Sequence, residues 1–193
     1  MKKIVAAGIA ASLALLPVAN PAFARKNDAR GEPIETASLP ADGFDIRWGR
    51  AKTVIPLPRD RVVALLHDYG RYAEIFPYFR ASRVLASRGH EALVYLEASL
   101  AYDSITLWGN LRISSTQRDG AHVIEATLKR GNVNHFHAIW TVRELPTGQA
   151  SEVEFKLLVD PNLKLPSSVI SSENVRAARK ALAALRRKAG EAS

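Results

Sequence analysis

The sequence predicts an α+β domain in which a curved antiparallel sheet of about six to seven strands wraps around one long C-terminal helix. Three observations carry this. Segments between residues 84 and 159 alternate apolar and polar side chains with the period of a strand. The connections between them are short and rich in Gly, Asn, Asp and Pro, which favours hairpins over crossovers. A helical apolar stripe then occupies the C-terminal segment, and a sheet with one apolar face needs such a partner to cover it.

The N-terminus is a targeting segment rather than part of this domain. Met1-Lys2-Lys3 is a basic head, Ile4 to Val18 is an uncharged Ala- and Leu-rich run, and Ala22-Phe23-Ala24 provides small residues around a cleavable bond. The run is short for a span of ~20 apolar residues, and charged residues follow at once. Residues 1–24 are therefore expected to be a secretory signal peptide cleaved after Ala24, giving a periplasmic or secreted protein. Residues 25–42 read as a flexible polar leader, and 43–190 as the domain, which is of ordinary single-domain size. The chain has no Cys, so neither disulfides nor lipidation of a Cys can contribute.

Phe44 to Ile55 alternates as a first strand and stops at Pro56-Leu57-Pro58, where Pro58 suits a first helical position. Val62, Leu65, Leu66 and Tyr69 fall on one helical stripe, and Tyr72, Ile75 and Phe76 form a second one beyond Gly70, so two short helices meet at a bend. Strands follow at Val84-Leu85, Leu93–Leu100, Ile105–Ile113, His122–Leu128, His135–Val142 and Val153–Val159. Asp160-Pro161 ends the sheet. Ser171 or Ser172 would cap a helix from Glu173 to Ala189, with Val175, Ala178, Ala181, Leu182, Leu185 and Ala189 on its apolar side.

In order and spacing these residues resemble the START-like, or helix-grip, superfamily, which includes START lipid-transfer domains, polyketide cyclases and coenzyme Q-binding proteins. The likeness rests on Ile55-Pro56-Leu57-Pro58 leading into Val62 to Tyr69, on Arg71-Tyr72-Ala73-Glu74-Ile75-Phe76-Pro77, and on Ser82-Arg83-Val84-Leu85. It continues through Trp140-Thr141-Val142, Val153 to Leu157, Asp160-Pro161 and Leu165-Pro166. The resemblance implies a cavity between sheet and terminal helix that holds a lipid or other hydrophobic small molecule. A cyclase- or aromatase-like enzyme using the same cavity is the alternative.

Strand residues that combine apolar bulk with an orienting polar group are the cavity candidates: Tyr95, Tyr102, Trp108, Arg112, His135, His137 and Trp140. His135 and His137, two apart on a strand, share a face and could supply two metal ligands, but no third lies at a characteristic spacing, so no metal is expected. No cofactor is expected either. Ser99, Ser104, His135, His137 and Glu154 offer chemistry without a recognisable catalytic motif, which points to a non-catalytic binder. The net charge of +8 favours anionic partners. For an exported chain that means an anionic membrane surface rather than nucleic acid, and Arg176, Arg179, Lys180, Arg186, Arg187 and Lys188 on the last helix are the membrane-contact candidates.

Overall fold

The computed structural model describes residues 33–100 and 105–191. The expected signal peptide and its cleavage site lie outside the described residues, as does Tyr102. The described chain runs β1 (Glu35–Leu39), β2 (Trp48–Ile55), α1 (Arg59–His67), a short 3-10 turn (Tyr69–Arg71) and α2 (Tyr72–Ile75). There follow β3 (Phe79–Arg88), β4 (Glu91–Leu100), β5 (Ile105–Arg118), β6 (Ala121–Gly131), β7 (His135–Glu144), β8 (Ser151–Asp160) and α3 (Ser167–Glu191).

Eight strands form one sheet in the order β1-β2-β8-β7-β6-β5-β4-β3, each antiparallel to its neighbours. The strand count exceeds the expected six to seven because Glu35–Leu39, within the stretch read as a leader, pairs with β2 as an edge strand. Its alternation is too polar to be legible. The first expected strand is also shorter than its pattern: 40–47 forms turns and bends, and pairing begins only at Trp48. Elsewhere the hairpins fall where the turn residues place them. Asp119 and Gly120 both adopt positive φ, 49° and 72°, as a two-residue connection between right-twisted strands requires.

Because β2 and β3 lie far apart in the sheet, the chain joining them must cross one face. It does so as α1 and α2, which fill that face with Val62, Leu66, Tyr72, Ile75 and Phe76. Strand alternation supplies the opposing layer: Val94, Leu111, Ile113, Ile124, Ala138, Trp140, Val142, Val153 and Phe155. Trp140 stacks on Phe155 at 3.9 Å between centroids and on Phe76 at 6.0 Å. The Tyr72 hydroxyl, fully buried, donates to the Leu66 carbonyl at 2.6 Å.

The same concave face receives α3, which lies along β2 and β8 and touches β1. Its buried side is Ala178, Ala181, Leu182, Ala184, Leu185 and Ala189, close to the expected stripe, although Val175 is only half-buried. The helix starts earlier than expected, at Ser167 after Pro166, so neither Ser171 nor Ser172 caps it. Ser171 instead sits one turn inside, where its Oγ donates to the Ser167 carbonyl at 2.6 Å and accepts from the Arg47 N–H at 3.0 Å. Asn174 continues this seam. Its amide donates to the carbonyls of Arg47 and Val159 and accepts from the Val159 N–H, all within 3.3 Å. The close approach is possible because β2 presents Gly49 to the helix: a Cβ there would fall inside 3.0 Å of the Asn174 carbonyl group and the Val175 nitrogen.

Candidate functional site

Where α3 rides over β2 and β8, α1 over β7 and α2 over the start of β3, the concave face is filled. Around the start of β5 and the end of β6, next to the Phe79 that packs on α2, its apolar side chains are only partly buried. Phe79, Ala98, Leu107, Leu128, Phe136 and Val159 form this stretch, with Ala177 of α3 beside it. Their common orientation follows from the register. Ala98 pairs with Leu107 and Phe136 with Val159, each one or two alternations along the same face from core residues such as Leu96, Leu111 and Ala138. Apolar side chains left half-covered on a concave surface are what a hydrophobic ligand would bury.

Of the cavity candidates in the described residues, only Trp140 faces this side of the sheet, and it is 6% exposed within the aromatic core. The others are corrected by strand parity. On β7, Trp140 and Ala138 point inward, so His135 and His137 point out. There the His135 ring meets Phe44 at 4.6 Å, and His137 meets Trp48 at 4.9 Å while its Nε2 lies 2.6 Å from Glu125 Oε1. On β5, Leu111 and Ile113 face the core, which turns Trp108 and Arg112 outward. Arg112 pairs with Glu91. On β4, Val94 and Leu96 face inward and Tyr95 outward. A set that mixed Trp140 with His135 and His137 could not share a face of one regular strand, and this was readable in the sequence. The half-buried row was not, because nothing local shows where α3 stops covering the sheet.

Two shallow, open depressions lie on the outer face. One, of about 270 Å³, runs past Ala86, Arg88, Glu91, Leu93, Arg112 and Lys129. The other, of about 380 Å³, is bounded by Arg83, Leu85, Tyr95, Trp108, Asn110 and Arg130.

One polar cluster was not foreseen. At the end of the fold where α1 meets the β5–β6 hairpin, the buried Ser115 hydroxyl lies 2.9 Å from His67 Nε2 and 2.6 Å from His122 Nε2. Burial, followed by the proximity of other cationic groups, lowers the pKa of both imidazoles from 6.5 and favours the neutral ring. With both rings neutral, the hydroxyl donates its proton to the Nε2 of one ring and accepts the Nε2–H of the other, carried by the opposite tautomer.

On α3, the membrane-contact candidates are less free than their spacing suggests. Arg176 pairs with Glu173 at 2.5 Å and Lys188 with Glu191 at 2.9 Å, both one turn apart. Arg187 lies near enough to Glu191 to help lower its pKa, behind the larger effect of Lys188. Arg179 and Lys180 are exposed.

Among curated proteins no sequence matches the chain. In fold it is similar to a STAR-related lipid transfer protein from Xanthomonas axonopodis, with 21% identity, TM-score 0.70, and coverage of 85% of this chain and 96% of that one. It is also similar to human StAR-related lipid transfer protein 5, at 14% identity and TM-score 0.70, covering 86% and 89%. The Zhui aromatase/cyclase from a Streptomyces species has 20% identity and TM-score 0.61, covering 75% and 93%. The family model described as polyketide cyclase / dehydrase and lipid transport matches residues 55–186. The fold is START-like, and because that span takes in every element from the end of β2 to the last turns of α3, the chain belongs to the polyketide cyclase / dehydrase and lipid transport family.

Proposed function

We propose that this protein binds a lipid or other hydrophobic small molecule against the half-covered end of its concave face and carries it through the periplasm. The carrying observation is the row of Phe79, Ala98, Leu107, Leu128, Phe136 and Val159, apolar throughout and partly exposed on a surface that is otherwise dry core. Burying such side chains against an apolar ligand contributes roughly 25 cal/mol per Å². The family description, which joins cyclisation and dehydration of polyketides to lipid transport, supports a hydrophobic ligand in either case. A carrier is favoured over a cyclase because, among the described residues, the row itself consists of apolar side chains with no acid or base. The Ser115 cluster that has such groups lies at the opposite end of β5. The basic head, uncharged run and small residues before Arg25 support export, and a compartment between two membranes gives a soluble container for apolar molecules an evident use.

Native mass spectrometry of protein recovered by osmotic shock from its host tests this directly. The reading expects release in the shock fluid and a bound apolar mass, or uptake of one from liposomes. Leu128→Asp and Phe136→Asp should lower uptake about tenfold or more each, the worth of one large apolar contact. An apo mass that takes up nothing from liposomes would overturn the carrier reading, and retention in the cytoplasm would overturn the export reading.

A further inference from the structure

The outer face of the sheet holds a feature that ligand binding on the concave face does not use. Four strands contribute to one stripe: Arg83 from β3 lies opposite Tyr95 of β4, Tyr95 opposite Asn110 of β5, and Asn110 opposite Arg130 of β6. Trp108, the diagonal neighbour, stacks with Tyr95 at 6.2 Å and 29° between ring planes, and the Arg83 guanidinium sits 5.8 Å from the Tyr95 centroid. At the usual strand spacing the backbones of the two arginines lie about 14 Å apart, with the aromatic pair on the strands between them. Leu85 projects beside them at the β3 bulge and is 49% exposed.

The charges here differ from those elsewhere on the same face. Arg50, Lys52 and Arg112 each hold a carboxylate, from Glu154, Glu152 and Glu91. Among the described residues Arg83 and Arg130 hold none. The nearest acid, Glu97, lies opposite Trp108 and accepts from the Tyr95 hydroxyl at 2.8 Å, so the stripe carries two cations and one carboxylate bound to a phenol. Two arginines without an ion-pair partner among the described residues, two rings of amphipathic character and an exposed leucine match the layers of an anionic bilayer surface. Guanidiniums pair with phosphates, Trp and Tyr suit headgroup depth, and Leu reaches the acyl boundary.

We propose that the chain docks on anionic membrane through this outer stripe of β3 to β6, rather than through the basic side of α3. Docking there leaves the concave face unobstructed while its ligand enters or leaves, so in purpose the proposal rests on the carrier reading. The leucine beside the cations is what favours a bilayer over single-stranded nucleic acid, whose backbone offers it nothing to bury against.

The test is flotation with vesicles of phosphatidylglycerol and phosphatidylcholine against phosphatidylcholine alone, the N-terminal segment being identical in every variant compared. Arg83→Gln with Arg130→Gln should weaken partitioning to the anionic vesicles by ~10-fold or more, at about fivefold per cation. Arg179→Gln with Arg187→Gln should leave it near wild type. Tryptophan emission should shift to the blue on docking, and Trp108→Phe should remove that shift while Trp48 and Trp140 remain. Melting curves establish that each variant is folded. Equal flotation of the Arg83/Arg130 variant, loss confined to the α3 variant, or an emission shift that survives Trp108→Phe would overturn the proposal. So would release of the protein by millimolar glycerophosphate or by an oligonucleotide, which would make the stripe a site for soluble anions. Flotation requires no bound ligand: a chain that floats but takes up no lipid sinks the carrier reading and leaves docking standing, and the reverse result separates them equally well.

Discussion

Gly49→Ala puts the contact that positions α3 to a direct test. The added methyl would enter the space of the Asn174 carbonyl group and the Val175 nitrogen at under 3.0 Å. Carbon atoms pack best at ~3.5–4.0 Å, so strand and helix must separate by more than about 0.5 Å. No flexible side chain can yield, because the opposing atoms are helix backbone. The retreat also stretches the bonds that the Asn174 amide makes to Arg47 and Val159, already at 3.1–3.3 Å. Overpacking of this kind costs about 1–3 kcal/mol, and each buried hydrogen bond lost adds about 1 kcal/mol. A loss of about 3–5 kcal/mol follows, which for a domain of this size lowers the melting temperature by roughly 6–20 °C. Thermal and urea unfolding followed by circular dichroism measures it. Gly70→Ala is the control, since a Cβ there meets nothing within 4 Å and the change should stay within about 0.5 kcal/mol. A Gly49→Ala protein as stable as wild type would refute the view that this strand and helix are in backbone contact.

Two further perturbations follow from the same packing. Trp140→Ala removes the ring stacked on Phe155 and Phe76 at the centre of the core, and should cost about 3–5 kcal/mol in urea unfolding; a loss under 1 kcal/mol would mean that the aromatic cluster is not the centre of the core. For pH, the folded-state pKa values of His67 and His122 lie below the unfolded 6.5, chiefly through burial, so below pH 6.5 the unfolded chain binds more protons. Stability should thus hold at neutral pH, fall as pH drops through 6.5, and level off below the folded values. Urea midpoints between pH 7.5 and 5 should show this slope, and His67→Gln with His122→Gln should reduce it, the remainder coming from His135, which burial shifts the same way.

The periodicity of the sequence made most of the architecture legible. The six-strand meander, the two short helices and the apolar side of α3 all follow from patterns of two and 3.6 residues, because each element buries one face. What escaped is what those patterns do not encode. The edge strand Glu35–Leu39 buries little, so its alternation carries no hydrophobic signal. Asn174 and Ser171 look like polar interruptions of an amphipathic helix, and their use appears only when Arg47 and Val159 arrive beside them from distant parts of the chain. The outer-face position of His135 and His137 was within reach through the parity of Trp140, whereas the half-buried row depends on the path of α3 across the sheet, a tertiary fact.

The division between the two faces has a single cause in the strand order. With β2 and β3 separated by five intervening strands, the crossover and α3 must share the concave side, and together they cannot cover all of it. That leaves an uncovered apolar end on the inner face. The same order makes β3 an edge, and an unbroken edge invites pairing with another sheet. Two bulges, between Phe79 and Ala81 and between Val84 and Ala86, interrupt it. A bulge leaves its extra residue outside the ladder and turns it away from the partner strand, which is how Leu85 comes to stand exposed beside Arg83. The device that protects the edge also places an apolar side chain next to a cation with no ion-pair partner among the described residues. A bulge kept only to block edge pairing would work as well with a lysine or a glutamate at position 85, so the leucine there is the residue that argues for contact with a membrane.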